Sequence, residues 1–184
     1  MKKNILILGA TGSIGKDLTM YLSEKYNIIA LSRNLNELKF LKNKNVKIAK
    51  HDFKNKFKTS LKIDYIINCI VTHAFSKKNS IDDYINSNIV AASNMISLAQ
   101  EKKIKLIINL SSVSVYGKPK ADILKEDTPI FNNDLLGYSK LFVEKLLELQ
   151  NINYINLRLP GILNNNFDKN RPWLNTLIHK IKKK

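Results

Sequence analysis

The chain opens with a run of apolar side chains, Ile5-Leu6-Ile7-Leu8, that stops abruptly at Gly9. So short a run predicts a strand over residues 4–8, buried on both faces. Apolar positions then recur at helical spacing over 13–25, and the two patterns go on alternating. Strands are expected at 28–32, 46–49, 64–70, 105–110 and 153–158, and helices at 34–42, 81–102 and 136–150. Apolar strand runs separated by helices suit a parallel sheet, whose strands lose solvent on both sides. The expected fold class is therefore α/β, a doubly wound parallel sheet with helices on both faces, and its ligand should lie beyond the carboxyl ends of the strands. Pro119, Pro129, Pro160 and Pro172 mark loops, and no linker or internal repeat divides the sequence.

Composition narrows this picture. With 184 residues, 44% hydrophobic and 25% charged, the chain suffices for one packed domain and is not disordered over most of its length. The first apolar run is too short for a secretory leader, and nothing later approaches the roughly 20 apolar residues of a membrane span. A single cysteine, Cys69, cannot form an internal disulfide and reads as a small buried hydrophobe, so a reduced, cytoplasmic setting is expected. The net charge of +16 suggests a polyanion, yet 28 of the 31 basic residues are lysine and only Arg33, Arg158 and Arg171 are arginine. Phosphate and groove recognition draws on arginine forks. Lysine, asparagine and isoleucine supply 75 residues, the mark of compositional drift. The nine lysines from Lys39 to Lys62, set against Asp52 alone, thus read as a solvated face, and nucleic acid is not expected as a partner. His51, His73 and His179 form no metal-ligand spacing with Cys69, so no metal is expected.

Chemistry enters directly after the first strand, at Gly9-Ala10-Thr11-Gly12-Ser13-Ile14-Gly15. Here Gly9 permits a tight turn, Gly12 lets the backbone approach a pyrophosphate, and Gly15 allows helix and strand to pack, while N–H groups at the helix start face the anion. Gly9, Thr11, Gly12, Ser13, Ile14 and Gly15 are accordingly expected to bind a dinucleotide. An acid closing the second strand would favour NAD, but the sequence there is Leu31-Ser32-Arg33-Asn34. The Ser32 hydroxyl and Arg33 guanidinium suit a 2′-phosphate, making NADP(H) the expected cofactor and NAD the lesser one.

With Leu110-Ser111-Ser112-Val113-Ser114-Val115-Tyr116-Gly117 the chain resembles the extended short-chain dehydrogenase/reductase family, the NAD(P)-dependent epimerases, dehydratases and reductases of nucleotide sugars. The likeness spans most of residues 1–161. It rests on the three glycines, on His51-Asp52-Phe53 after the third strand, and on Asn88 and Asn94 in the long helix. It implies a Rossmann-type domain over 1–161, with Asp52 and Phe53 beside adenine and Asn68, Cys69, Ile70 and Asn88 along the cofactor. Pro160, within Arg158-Leu159-Pro160-Gly161, would approach the nicotinamide. The resemblance further implies that Ser112 hydrogen-bonds the substrate oxygen and that Lys140 holds the nicotinamide ribose and lowers the pKa of a tyrosine one helical turn earlier.

That tyrosine is absent. The segment reads Leu136-Gly137-Tyr138-Ser139-Lys140-Leu141-Phe142-Val143-Glu144, which puts Leu136 at its position. Tyr138, two residues on, falls on the far face of the helix, and both it and Tyr116 read as packing or substrate-contact residues, which leaves proton transfer to water, Tyr116 or the substrate itself. After Gly161 only 23 residues follow, with Trp173 and an amphipathic pattern at Leu174, Leu177, Ile178 and Ile181; residues 162–184 are expected to be the remnant of a substrate lobe. The helices at 81–102 and 136–150 resemble those of the family's dimer interface, implying a homodimer. Two functions are expected: an epimerase, dehydratase or oxidoreductase of a nucleotide sugar with impaired activity, or a catalytically silent NADP(H)-binding sensor or partner subunit.

Overall fold

Six strands pair in parallel in the order β3-β2-β1-β4-β5-β6, with β1 Asn4–Leu8, β2 Asn27–Ser32, β3 Val46–Lys50, β4 Tyr65–Asn68, β5 Leu106–Ser112 and β6 Tyr154–Leu159. The computed structural model describes residues 2–41, 45–72, 80–162 and Ile181. The order reverses between β1 and β4, which makes the carboxyl end of β1 the switch point of the doubly wound sheet. The sequence pattern thus leads to the α/β fold expected from it.

Alternation along each strand divides the core into two layers. Leu6, Leu8, Ile29, Leu31, Ile66 and Ile107 face helices α3 (Ala91–Lys102) and α4 (Leu135–Glu148), meeting Met95, Ala99, Val143 and Leu147. On the other side Ile5, Ile7, Ile28, Ala30 and Ile67 meet Leu38, Leu41 and helix α1 (Ser13–Leu22). Burying each such Leu or Ile contributes about 1.5–3 kcal/mol, so β1, apolar on both sides, anchors the sheet.

Where elements depart from the sequence expectation, side-chain hydrogen bonds account for most of the differences. Helix α1 ends at Leu22, short of residue 25: the Ser23 hydroxyl donates back to Met20 O, and Lys25 N and Tyr26 N both donate to Leu22 O. Over 34–42 the chain forms a 3₁₀ helix, Leu35–Leu41, entered by a turn in which Asn36 N donates to Asn34 Oδ1. Strand β4 stops at Asn68 because Asn68 Oδ1 accepts the Ile70 N–H, turning the chain out of the ladder. The helix expected at 81–102 is interrupted by a π-helical turn, Ile85–Val90, between α2 (Ile81–Tyr84) and α3. Of the terminal segment 162–184, only Ile162 and the exposed Ile181 are among the described residues; Trp173, Leu174, Leu177 and Ile178 lie outside them, as do His73 and His179. Among the described residues, no helix is long and apolar enough to cross a membrane.

Candidate functional site

The turn after β1 is built so tightly that only glycine fits two of its positions. Gly9 has φ +72°, and a Cβ there would lie 2.9 Å from the Cys69 carbonyl; a Cβ on Gly15 would lie 2.2 Å from Gly9 O. Gly12 is exposed and caps α1 in extended conformation, with no side-chain cap and no acid in the first helical turn. Thr11, Ser13 and Ile14 are half-buried around it. A helix start left bare in this way presents N–H donors and the positive end of the helix dipole to an anion. The fit to a pyrophosphate therefore rests on a cradle that any Cβ would fill.

The peptide Cys69–Ile70 forms the far wall of that cradle, and behind it lies Lys140. The Lys140 ammonium donates to Ile70 O and Leu110 O, both at 2.9 Å, and is buried. Burial pushes its pKa down to about 8, against smaller upward pulls from Cys69 and Glu144. The half-buried Cys69 has its thiol pushed up to about 12, burial outweighing the charge of Lys140. Ser112 closes β5 and caps the 3₁₀ turn Val113–Tyr116: its hydroxyl accepts from Ser114 N at 3.1 Å and donates to Ser114 Oγ at 3.0 Å. Leu136, half-buried in the first turn of α4, stands one turn before Lys140, and Tyr138 is 56% exposed on the outer face.

Asn88, in the π turn, is buried and ties three segments together. Its Oδ1 accepts from Thr72 N, its Nδ2 donates to Ser139 Oγ at 2.8 Å, and Ser139 Oγ donates to Leu136 O. The π turn is where the helix bends to make these bonds. Asn68 heads a side-chain ladder across the sheet, donating to Asn109 Oδ1, while Asn109 Nδ2 donates to Asn156 Oδ1. The three asparagines are in register on β4, β5 and β6.

On the other side of the glycine turn, Ala10 N reaches Leu31 O, which brings the end of β2 into the same rim. Arg33 is exposed there, but Ser32 is buried and its hydroxyl is taken up in a turn with the backbone of Asn34. Phe53 is buried at φ +59°, held by Phe53 N donating to His51 Nδ1 and by Asn94 Nδ2 donating to Phe53 O. Beside it Asp52 is half-buried and accepts from Lys54 N. Pro160, exposed, follows β6, whose Leu159 pairs with Ser112. These contacts join the glycine turn, Cys69, Ile70, Lys140 and the end of β5, and separately Asn88 with the start of α4; among the described residues they do not join Pro160 or Asp52 to that centre.

Sequence reasoning missed a second network. Glu144, one turn beyond Lys140 and buried, receives a fork from Arg158, including Nη2–Oε2 at 2.8 Å, and a short hydrogen bond from Ser111 Oγ. Arg158 Nη1 also donates to Tyr116 OH at 2.9 Å, with the guanidinium over that ring. The hydroxyl of Tyr116 is thereby engaged with Arg158. The signal for it was present in the glutamate that follows Leu136 by eight residues and in the arginine inside the apolar run of β6; the asparagines in β5 and β6 signalled the separate ladder headed by Asn68.

A doubly wound parallel sheet that runs from its first strand through a glycine cradle into a bare helix start is a Rossmann-type nucleotide-binding domain. The chain belongs to the NAD dependent epimerase/dehydratase family, whose profile matches residues 5–183. It is 26% identical to UDP-glucose 4-epimerase 2 of Arabidopsis thaliana, covering 79% of this chain and 47% of that protein. In fold it is similar to the UDP-N-acetylglucosamine 4-epimerase from Methanobrevibacter ruminantium M1 in complex with UDP-N-acetylmuramic acid, with a TM-score of 0.78, 22% identity and coverage of 94% of this chain and 60% of that one. The UDP-glucuronic acid 4-epimerase from Bacillus cereus, in complex with NAD, gives a TM-score of 0.76 at 22% identity, over 86% of this chain and 56% of the other. The chain thus spans about half the length of the curated relative from Arabidopsis.

Proposed function

We propose that this chain binds NADP(H) across the carboxyl ends of its strands and acts on a nucleotide sugar as an epimerase, dehydratase or oxidoreductase of reduced activity. The single observation that carries the reading is the shared wall: in the two-residue segment Cys69-Ile70, the Cys69 carbonyl and Ile70 N–H abut Gly9 while the following carbonyl, Ile70 O, accepts from Lys140. In this reading Gly9, Gly12 and Gly15 hold the pyrophosphate and Arg33 the 2′-phosphate. Asp52 faces the adenine, backed by the core residue Phe53, and Lys140 binds the nicotinamide ribose. When bound, the cofactor supplies a hydride acceptor or donor. Ser112 polarises the substrate oxygen, and proton transfer falls to water or the substrate because Leu136 has no titratable group. The apolar side chains exposed on α2, the π turn and α4, namely Ile81, Ile85, Leu135, Tyr138 and Phe142, with Leu149 just after α4, support a homodimer.

Leu136 also favours the second reading, a catalytically silent protein that binds NADP(H) as a sensor or as the partner of an active subunit. Leu136→Tyr separates the two. Under the first reading the substitution raises turnover of UDP-sugars in the presence of cofactor. Cofactor binding without any turnover in either form would establish the silent reading. Thermal unfolding in separate titrations comes first, with a larger rise in Tm expected from the NADP pair than from the NAD pair.

A further inference from the structure

We infer that Arg158 is a positioning residue that latches the loop between residues 117 and 131 to helix α4, holding it beside the substrate side of the site proposed above, on which reading the substrate part of the inference rests. The base of this loop is clasped by the backbone: Lys118 N donates to Phe131 O and Phe131 N to Tyr116 O, and a Cβ on Gly117 would lie 2.2 Å from Phe131 O. The span between is largely exposed, including its apolar residues Ile123, Leu124 and Ile130. Its inner bonds, between Lys125 and Thr128, stay within the loop. Among the described residues, the hydrogen bond that carries the far part of the loop to the body is Arg158 Nη1 to Glu126 O, at 2.9 Å.

The same guanidinium forks onto Glu144 and donates to Tyr116 OH, so one side chain joins β6, α4, the turn after Ser112 and the loop. Its anchor is firm: Glu144 is buried and held from β5 by Ser111 as well. A lysine at 158 could keep the ion pair with Glu144, but its single ammonium cannot also reproduce the two Nη1 bonds to Tyr116 OH and Glu126 O. The latch is therefore separable from the ion pair.

The test uses the full chain, its Arg158→Lys and Tyr116→Phe variants, trypsin, and titrations with NADP and with UDP. Loss of the loop bond opens the loop locally without unfolding the sheet. Cleavage after Lys120 and Lys125 should accelerate about tenfold in Arg158→Lys and about threefold in Tyr116→Phe, while cleavage after Lys25 and Lys62 stays within twofold of the parent. UDP affinity should fall severalfold in Arg158→Lys with NADP affinity within twofold, a split that general destabilisation would not produce. Equal cleavage rates in parent and Arg158→Lys, or a rise shared by all four sites, would overturn the latch. Failure of the parent chain to bind UDP would instead overturn the substrate reading, with the latch still decided by the cleavage rates.

Discussion

Lys140 offers the sharpest quantitative prediction, because its folded environment and its unfolded one differ by a proton over an accessible pH range. In the folded chain its amine is buried against two carbonyls with a pKa of about 8, down from the ordinary 10.5. Between these values the unfolded chain holds more protons than the folded one, so stability rises with pH. The full span is worth about 3 kcal/mol, of which about 2 kcal/mol is gained by pH 9.5. Below pH 8 both states carry the charge and the gain is absent. Urea unfolding at pH 7–9.5 of a Cys69→Ala chain with and without Lys140→Met isolates the effect, since the Cys69 thiol, which titrates in this range once the chain unfolds, is removed from both. Losing the two amine–carbonyl bonds gives a constant offset, whereas the Lys140-bearing chain should gain about 2 kcal/mol on its partner across the range. A stability difference independent of pH would mean that the amine is as well solvated as a surface lysine, and the buried-site argument would fail.

Other positions give simpler outcomes. Gly15→Ala sets a Cβ 2.2 Å from the backbone oxygen of Gly9, which has no flexible end to move aside; a loss of about 3 kcal/mol in urea and of any thermal shift with NADP is expected. Arg33→Ala should raise the dissociation constant for NADPH about tenfold or more while leaving that for NADH within twofold, as measured by fluorescence titration; equal changes would remove Arg33 from the 2′-phosphate. Asn109→Ala deprives both neighbouring amides of the ladder of a partner, that of Asn68 in a buried site and that of Asn156 in a half-buried one. The urea midpoint should drop by the equivalent of about 3 kcal/mol at unchanged slope.

The strands were legible because a parallel sheet buries both faces and leaves unbroken apolar runs; the glycine turn was legible because its spacing is dictated by contacts such as Gly15 on Gly9. What escaped was set by partners remote in sequence. Nothing in the apolar–polar pattern around Asn88 announces that its side chain meets Thr72 and Ser139, or that the helix takes a π turn there. Likewise Ser32 looked available from its position at the end of β2, yet its hydroxyl is closed onto Asn34 two residues on. Arg158 was placed by its strand and by the resemblance, but its three polar partners come from α4, the turn after β5 and the loop.

Helix α4 shows why Lys140 by itself cannot decide between the two functional readings. Its buried positions Gly137, Ser139, Lys140, Val143, Glu144 and Leu147 each have a packing or hydrogen-bonding task inside the described fold. Lys140 holds two carbonyls at the ends of β4 and β5 whether or not any reaction occurs, and Glu144 anchors Arg158 in the same way. A phenol at 136 would have no such duty, since the backbone carbonyl there, not its side chain, serves Ser139. Losing the tyrosine would then cost catalysis and little stability, whereas losing Lys140 or Glu144 would cost stability first. The two kinds of substitution are for this reason informative only together. Turnover gained by Leu136→Tyr with unchanged urea stability would assign the site a chemical role, and the pH-dependent loss in Lys140→Met would assign the lysine its structural one.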